Sequence, residues 1–195
     1  MIPQSNLSGA ILSGGQSRRL GRDKALLTLK GQTLLQHAID LIAPLTQSQV
    51  IVSAHERHDM KGVLRIPDSH PGCGPAGGIL TALHWTEHPW VLIMSCDTPL
   101  ISPSTILEIT AEIPGQAIDA LIPQLNNQLM PLVGIYHKRC LEAFSSAIEA
   151  GQYRVQDILQ DLRVKVHVLP ETKHSEFLNI NTLREYNQIL NATRD

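Results

Sequence analysis

Short runs of consecutive apolar residues alternate along the chain with stretches whose apolar positions recur every three to four residues. Runs of the first kind are typical of strands buried on both faces of a sheet, and the second pattern is typical of amphipathic helices. Strands are predicted over residues 9–12, 49–54, 63–66, 90–94, 117–123, 131–136, 164–169 and 177–180. Helices are predicted over residues 33–43, 79–85, 102–112, 138–150, 156–162 and 182–190.

Several helix ends carry capping residues. Thr33 and Ser102 are placed to act as N-caps, Gly151 is placed to end a helix, and Thr182 with Glu185 has the spacing of a capping box. These signals fix the predicted helices at particular residues.

Strand, loop and helix alternate through the first half of the chain, which is the repeating unit of an α/β sheet. The alternation breaks where two predicted strands, 117–123 and 131–136, are separated only by the polar segment 124–128, which has the composition of a hairpin turn. We therefore expect a three-layer αβα sandwich with a Rossmann-like, mostly parallel sheet and an antiparallel element. No linker or repeat is evident, so residues 1–195 are predicted to form a single domain.

Composition narrows the class of protein. Of the 195 residues, 43% are hydrophobic and 17% are charged, which is typical of a globular protein with a sizeable core. The net charge of −2 argues against a general binder of nucleic acid or membrane surfaces. The sequence has neither a signal-peptide pattern nor an apolar run of ~18–20 residues. We expect a cytoplasmic protein whose cysteines, Cys73, Cys96 and Cys140, are reduced thiols.

The first predicted strand runs into a glycine-rich loop with the sequence LSGGQSRRLGRDK, residues 12–24. Gly14 and Gly15 permit backbone conformations in which amides face an anion. Four cations follow the glycines: Arg18, Arg19, Arg22 and Lys24. The combination predicts a phosphate site, and the alternative is an ordinary turn with a solvated basic face. The loop matches neither the P-loop nor the dinucleotide-binding fingerprint.

Two acidic residues follow later strands. Asp68 precedes a second glycine-rich loop, PGCGPAGG at 71–78, and Asp97 follows the strongly apolar strand 90–94. A carboxylate at the end of a central parallel strand lies where ligands bind in open α/β sheets, and Mg²⁺ on nucleotide phosphates uses one or two such carboxylates. Asp97 is therefore the predicted Mg²⁺ ligand. The alternatives are that each aspartate only caps a turn and that the second loop is a tight structural connection.

Taken in order, these segments resemble the molybdenum cofactor guanylyltransferase family, whose members are nucleotidyltransferases with a nucleotide-diphospho-sugar transferase fold. The resemblance rests on LSGG at 12–15, Asp23-Lys24, Pro67-Asp68, GCGPAGG at 72–78, SCDTP at 95–99, the strand at Pro131, Arg154-Val155 and NINT at 179–182. It implies a single nucleotidyltransferase domain, 1–195, that transfers GMP from GTP to the terminal phosphate of molybdopterin and releases pyrophosphate. It also implies Mg²⁺ as cofactor and handover of the product to molybdoenzymes or their chaperones. We expect a monomer.

The resemblance assigns roles residue by residue. Nucleotide binding is assigned to Leu12, Ser13, Gly14, Gly15, Lys24, Asp68 and Asp97. Catalysis is assigned to Arg18, Lys24 and Asp97, and Asp97 also holds the metal. Acceptor binding is assigned to Arg154, Asn179 and Asn181. The alternative for the two asparagines is that they only satisfy backbone groups, and for Arg19 and Arg22 that they face water.

Two residues depart from the family pattern. Ser13 replaces an alanine, and we expect its backbone to make the contact. Ser53 stands where the family has an asparagine, and its shorter hydroxyl is expected to lose a nucleotide contact, which leaves base selectivity open. The nine histidines lack the spacing of metal ligands and are predicted to be surface or structural, and no Ser-His-Asp arrangement is evident.

Other functions remain open. A molybdopterin cytidylyltransferase or a sugar-phosphate nucleotidyltransferase would share the chemistry, and a catalytically idle nucleotide-binding regulator would share only the fold. The Asp23-Lys24 pair favours guanylyl transfer, and the presence of Lys24 and Asp97 argues against the idle regulator.

Overall fold

The computed structural model describes residues 6–14, 20–112 and 118–193. The strands within these ranges are β1 (Leu7–Leu12), β2 (Thr28–Leu29), β3 (Gln32–Thr33), β4 (Ser48–Val52), β5 (Leu64–Ile66), β6 (Trp90–Ser95), β7 (Ala120–Leu125), β8 (Gln128–Leu129), β9 (Ile135–His137) and β10 (Val164–Val168). The α-helices are α1 (Leu34–Ile42), α2 (Gly74–Trp85), α3 (Pro103–Ala111), α4 (Leu141–Glu149), α5 (Val155–Ile158) and α6 (Leu183–Ala192). None of these described helices has the length and apolar character to cross a membrane.

One mixed sheet contains all of these strands except the short hairpin β2–β3. Its order is β5–β4–β1–β6–β9–β7–β10, and β8 pairs with the end of β7. The pairs β1–β4, β1–β6, β4–β5 and β7–β10 are parallel, whereas β9 runs antiparallel to both of its neighbours, β6 and β7. The predicted mostly parallel sheet with an antiparallel element is therefore confirmed.

Two apolar cores flank the sheet. Successive side chains of a strand point to opposite faces, and in β6 Leu92 and Met94 enter one core while Val91 and Ile93 enter the other. Helices α1, α3 and α6 contribute to the first core, and α2, α4 and α5 contribute to the second. All four of these β6 side chains are fully buried, which explains why the strand is apolar at consecutive positions. The predicted three-layer sandwich is confirmed.

The predicted helix caps are present. The side chains of Thr33 and Ser102 each accept a hydrogen bond from the backbone N–H three residues later. Thr182 and Glu185 form the reciprocal pair of a capping box at the start of α6. Gly151 follows α4 with a φ of +75°, a conformation that suits glycine. These ends were predictable because each signal is local.

Helix α2 begins earlier than the sequence predicts. It starts at Gly74 rather than at residue 79, so that part of the second glycine-rich loop forms its first turn. Pro75 lies in that turn, where its fixed φ favours the helix and its missing N–H costs nothing. A segment rich in glycine and proline has the composition of a loop, so the sequence did not predict the start of the helix there.

Two predicted strands also differ. Residues 131–136 divide into a 3₁₀ turn, Pro131–Val133, and the short strand β9. Residues 177–180 form no strand, and their buried positions, Phe177 and Ile180, are three apart instead of two. The N–H of Ile180 donates to the carbonyl of Asp97 at 2.8 Å, so the segment meets the end of β6 at a single point.

The segment that leads to Ile180 is anchored to α3. Glu176 accepts hydrogen bonds from the N–H of Ser102 at 2.8 Å and the hydroxyl of Thr105 at 2.6 Å, and lies 2.9 Å from the ammonium of Lys173. Burial alone would raise the pKa of Glu176, but these hydrogen bonds outweigh it and lower the pKa to about 2. The ionised carboxylate thus fixes the start of α3 to the chain that returns toward Asp97.

We expect Glu176→Gln to lower the free energy of unfolding at pH 7 by about 1–2 kcal/mol, because these donors then bind a neutral amide oxygen instead of an ionised carboxylate. The folded-state pKa lies below the ordinary value of 4.5, so this stabilisation is present above pH 4.5 and is lost as the pH falls toward 2. Urea unfolding should therefore show a difference between wild type and variant that is constant above pH 4.5 and shrinks as the pH falls from 4.5 toward 2. Glu171→Gln, in the same turn and exposed, is the matched control, and an equal loss in both variants would contradict the assignment.

Candidate active site

Three neighbouring strands end together at one edge of the sheet. In the parallel register, Leu12 of β1 lies opposite Val52 of β4 and Ser95 of β6, so the chain leaves all three strands at the same level. Ligands of open α/β sheets bind in the crevice beyond such strand ends. A cavity of about 430 Å³ lies at this edge.

The cavity brings together the residues that the sequence assigns to nucleotide binding. Those within the described ranges all line it: Leu12, Ser13, Gly14, Lys24, Asp68 and Asp97. Gly15, Arg18 and Arg19 lie outside the described residues. Arg22 is exposed and does not line the cavity, which agrees with the alternative that it faces water.

Lys24 and Asp97 form the charged centre of the cavity. The Lys24 Nζ lies 3.5 Å from an Asp97 carboxylate oxygen and donates to the Asn181 Oδ1 at 2.7 Å. The side chains of Lys24 and Asp97 are 17% and 22% exposed, so a ligand can reach both while bulk water screens them less than at an open surface. The contact from Ile180 to Asp97 places the neighbouring Asn181 beside the pair.

The other predicted acceptor residues are not brought to this cavity. Arg154 is exposed at the start of α5, 3.9 Å from the carboxylate of Asp157, and Asn179 is exposed in the segment before α6. Neither residue lines the cavity. Asn181 does not line it either, but its side chain contacts Lys24, which does.

Asp68 both caps a turn and lines the cavity. Its Oδ1 accepts from the N–H of His70 at 2.9 Å and from the hydroxyl of Thr81 at 3.2 Å, so the turn-capping interpretation holds for this oxygen. Asp68 also lines the cavity, so capping the turn fixes its carboxylate at the cavity wall. The capping and ligand-binding interpretations are therefore compatible.

The N-terminus of α2 forms another wall through Gly74, Pro75 and Gly78. The partial positive charge of a helix N-terminus favours anionic groups nearby. Glycine is required for the close approach of this helix, because a Cβ on Gly77 would lie 2.6 Å from the backbone oxygen of His70. The tight packing of α2 on the Asp68 turn thus depends on the second glycine-rich loop.

The backbone of Ser13 was expected to contact the ligand, but its N–H is already used within the sheet. Its N–H donates to the carbonyl of Val52 at 3.0 Å, so this amide continues the sheet, and a backbone contact to a ligand would have to use its carbonyl oxygen. Its hydroxyl lies 3.1 Å from the Nδ1 of His58, which also lies 2.7 Å from the hydroxyl of Ser53. Ser53 is fully buried and does not line the cavity. Its role in this structure is to hold His58.

The structure also contains a Ser-His-Asp arrangement that the sequence did not reveal. The His58 Nε2 lies 2.9 Å from a carboxylate oxygen of Asp23, while its Nδ1 faces Ser53. A nucleophilic serine must reach its substrate, and the full burial of Ser53 prevents this. His58 is 1% exposed, which confirms for this residue the prediction of a structural histidine.

Asp23 and Cys96 are cavity residues that the sequence did not assign to the site. Burial raises the pKa of Asp23, but hydrogen bonds from His58 and Arg57 outweigh it and hold the pKa below its ordinary value. Burial and the neighbouring Asp97 raise the pKa of Cys96 to about 11, so it remains a thiol near neutral pH and is a poor nucleophile. The site therefore contains a third carboxylate, beside those of Asp68 and Asp97, and an unreactive cysteine.

The donor set at the cavity suits a hard cation. Across the described residues, no group of three or more His, Cys, Asp and Glu side chains is arranged to hold a metal ion. Mg²⁺ needs no such cage when it is shared with phosphates, because one or two carboxylates and water complete its coordination. The carboxylate of Asp97, facing the cavity, fits this mode of binding.

The fold and site define an α/β protein with a charged cavity at the carboxyl edge of its sheet. Residues 9–167 match the family described as MobA-like NTP transferase domain, and the chain belongs to this family. A Flavobacterium johnsoniae protein named "Probable molybdenum cofactor guanylyltransferase" is 32% identical over 183 residues, covering 94% of this chain and 96% of that protein. A protein of the same name from Halalkalibacterium halodurans is 33% identical, covering 89% and 92%.

Solved structures give the same fold. The crystal structure of molybdopterin-guanine dinucleotide biosynthesis protein A from Archaeoglobus fulgidus superposes with a TM-score of 0.80 at 25% identity, covering 95% of this chain and 97% of the other. The 2-C-methyl-D-erythritol 4-phosphate cytidylyltransferase of Thermus thermophilus superposes with a TM-score of 0.71 at 13% identity, covering 95% and 98%. The predicted nucleotide-diphospho-sugar transferase fold is confirmed.

We expect Gly77→Ala to destabilise the protein by about 1–3 kcal/mol, because the new methyl group would meet backbone that cannot move without displacing the Asp68 turn. Gly78→Ala is the matched control, since its Cβ would meet only the side chain of Leu12, at 3.2 Å. Urea unfolding of both variants measures the difference. A larger loss in Gly78→Ala than in Gly77→Ala would contradict this account of the packing.

Proposed function

We propose that the chain transfers GMP from GTP to the terminal phosphate of molybdopterin, forming a guanine dinucleotide cofactor and releasing pyrophosphate. The observation that carries the proposal is the convergence of Leu12–Gly14 from the start of the first glycine-rich loop, Lys24 from its end, and Asp97 on one strand-end cavity. Family membership and relatives named as molybdenum cofactor guanylyltransferases over nearly the whole chain support the choice of substrates.

The chemistry is a displacement at phosphorus. An oxygen of the acceptor phosphate attacks the α-phosphorus of GTP in line with the leaving group. A new P–O bond forms as the bond from the α-phosphorus to the bridging oxygen of the β-phosphate breaks, and that oxygen leaves with the pyrophosphate. Both reactants are anions, so the protein must mainly neutralise charge and align the reacting groups.

Lys24 is suited to neutralise the triphosphate. Its ammonium faces the cavity and is held by Asn181 and Asp97, so it enters the reaction already oriented. The N-terminus of α2 adds partial positive charge to the same cavity. Asp97 would hold Mg²⁺, which when bound would neutralise further phosphate charge. The catalytic role of Arg18, which would neutralise phosphate or the departing pyrophosphate, and the nucleotide-binding role of Gly15 stay predictions.

The acceptor is expected on the side of the cavity where Asn181 meets Lys24. Asn181 follows Ile180, whose N–H donates to the carbonyl of Asp97, and its side chain contacts Lys24 directly; this contact supports an acceptor role for Asn181. The acceptor roles of Arg154 and Asn179 stay predictions. So do the single-domain organisation of residues 1–195, the cytoplasmic location, the monomeric state and the handover to molybdoenzymes or their chaperones.

We expect calorimetric titration with GTP, CTP, UTP and ATP to give the tightest binding for GTP, and Mg²⁺ to strengthen that binding because it offsets phosphate charge in the cavity. Each nucleotide is titrated with Mg²⁺ and with EDTA. Preference for CTP or UTP would contradict guanylyl transfer and favour a sister transferase. A protein that binds GTP but releases no pyrophosphate when supplied with molybdopterin would be an idle regulator.

Lys24→Ala and Asp97→Ala should each lower turnover by about 10²–10³-fold while leaving the protein folded, because the first removes a cation that faces the phosphates and the second removes the carboxylate that would hold Mg²⁺ against them. Pyrophosphate release measures turnover, and circular dichroism measures folding. Lys61→Ala is the matched control because it removes the same charge at an exposed position that does not line the cavity. Wild-type turnover in either site variant would refute the assignment of that residue.

A further inference from the structure

One buried imidazole connects three separate segments at the edge of the cavity. The His58 ring contacts Ser13 at the end of β1, Ser53 at the end of β4, and Asp23, which directly precedes Lys24. We refer to Ser13, Asp23, Ser53 and His58 as the His58 clasp. Ser13 and Asp23 stand on the two sides of the first glycine-rich loop, so the clasp joins the entry and the exit of that loop to β4.

The contacts of His58 define the roles of its two ring nitrogens. The Asp23 carboxylate can only accept, so the His58 Nε2 carries the hydrogen of their 2.9 Å bond. In the neutral ring the single lone pair of Nδ1 then accepts from the hydroxyl of Ser53 at 2.7 Å, and the hydroxyl of Ser13 lies 3.1 Å from the same nitrogen. The lowered pKa of Asp23 keeps its carboxylate ionised and the acceptor in place.

Asp23 transmits this constraint to the cavity. Its Oδ1 accepts from the N–H of Ala25 at 3.2 Å and caps the 3₁₀ turn Lys24–Leu26, while its Oδ2 receives the bond from His58. Arg57 also contacts Asp23, but its side chain is 57% exposed and water screens that pair. The buried bond from His58 is therefore the stronger restraint on the backbone that carries Lys24.

We propose that His58 is a positioning residue of the active site, which orders Ser13 and Lys24 for the triphosphate without lining the cavity itself. The inference rests on the proposed function for the identity of the ligand. Its physical basis is preorganisation: a phosphate site whose walls are already ordered loses less free energy on binding. Removing the imidazole should therefore weaken nucleotide use even though His58 touches no substrate.

The first experiment compares His58→Phe, His58→Gln and His88→Gln. His88 is the matched control because its Nδ1 makes a similar bond, 2.8 Å to the hydroxyl of Ser8, at the opposite end of β1. We expect His58→Phe to lower kcat/KM for GTP by about 100-fold. His58→Gln should recover part of this loss because its amide can still donate to Asp23, and His88→Gln should retain wild-type kcat/KM.

A double-variant cycle separates positioning from general stability. If His58 acts through Lys24, then adding His58→Phe to Lys24→Ala should reduce kcat/KM by much less than it does in the wild type. Multiplicative effects of the two substitutions, or equal losses in His58→Phe and His88→Gln, would overturn the proposal. If His58→Phe does not fold, Ser53→Ala keeps the imidazole but removes its 2.7 Å bond, together with the bond that the Ser53 hydroxyl accepts from the N–H of His55, and should cost about tenfold in kcat/KM.

Amide hydrogen exchange without nucleotide tests the clasp independently of the proposed function. We expect faster exchange of the amides of residues 25–27 in His58→Phe, because their turn loses the restraint on Asp23, and unchanged exchange there in His88→Gln. Faster exchange in a protein whose wild type binds no GTP would support the clasp and refute the proposed function. Unchanged exchange and unchanged GTP binding in His58→Phe would refute the clasp and leave the function standing.

Discussion

The parallel pairing of β1 with both β4 and β6 is the constraint on which the site depends. Because Leu12 lies opposite Val52 and Ser95, the chain leaves three strands at one level, and their following residues share a single edge. A slip of one residue in either pairing would turn the buried side chains of a strand toward the wrong core. The two-sided burial that stabilises the sheet thus also fixes the relative positions of Ser13 and Asp97.

Long-range contacts complete the cavity from outside these strands. The segment that contains Glu176 and Ile180 reaches the end of β6 through the bond from Ile180 to Asp97, and Glu176 anchors this segment to α3. On the other face, the glycines of α2 allow its N-terminus to approach the Asp68 turn. The cavity is therefore formed by several segments, each of which is held by one of the two cores. Its charged side chains consequently have fixed positions relative to one another.

Local signals explain what could be predicted. The strand 90–94 was recognisable because a strand buried on both faces must be apolar throughout, and the caps at Thr33 and Thr182 need only neighbouring residues. The start of α2 and the form of residues 177–180 depend on tertiary packing, which composition does not contain. The cavity residues were found by matching motifs in order, whereas His58 lies outside those motifs and required the sheet to bring Ser13 near Ser53.

The two departures from the family pattern are physically one feature. Ser13 and Ser53 belong to different strands, yet both hydroxyls face the Nδ1 of His58. Replacing either serine alone would remove one of the two hydroxyls that face the buried Nδ1 of His58. A buried polar group that is left with no hydrogen-bond partner costs about 1–3 kcal/mol. Ser53 is also too deeply buried to contact a nucleotide, so any base selectivity must arise from residues that line the cavity. The serines are better understood as supports of the loop than as substitutes for a lost base contact.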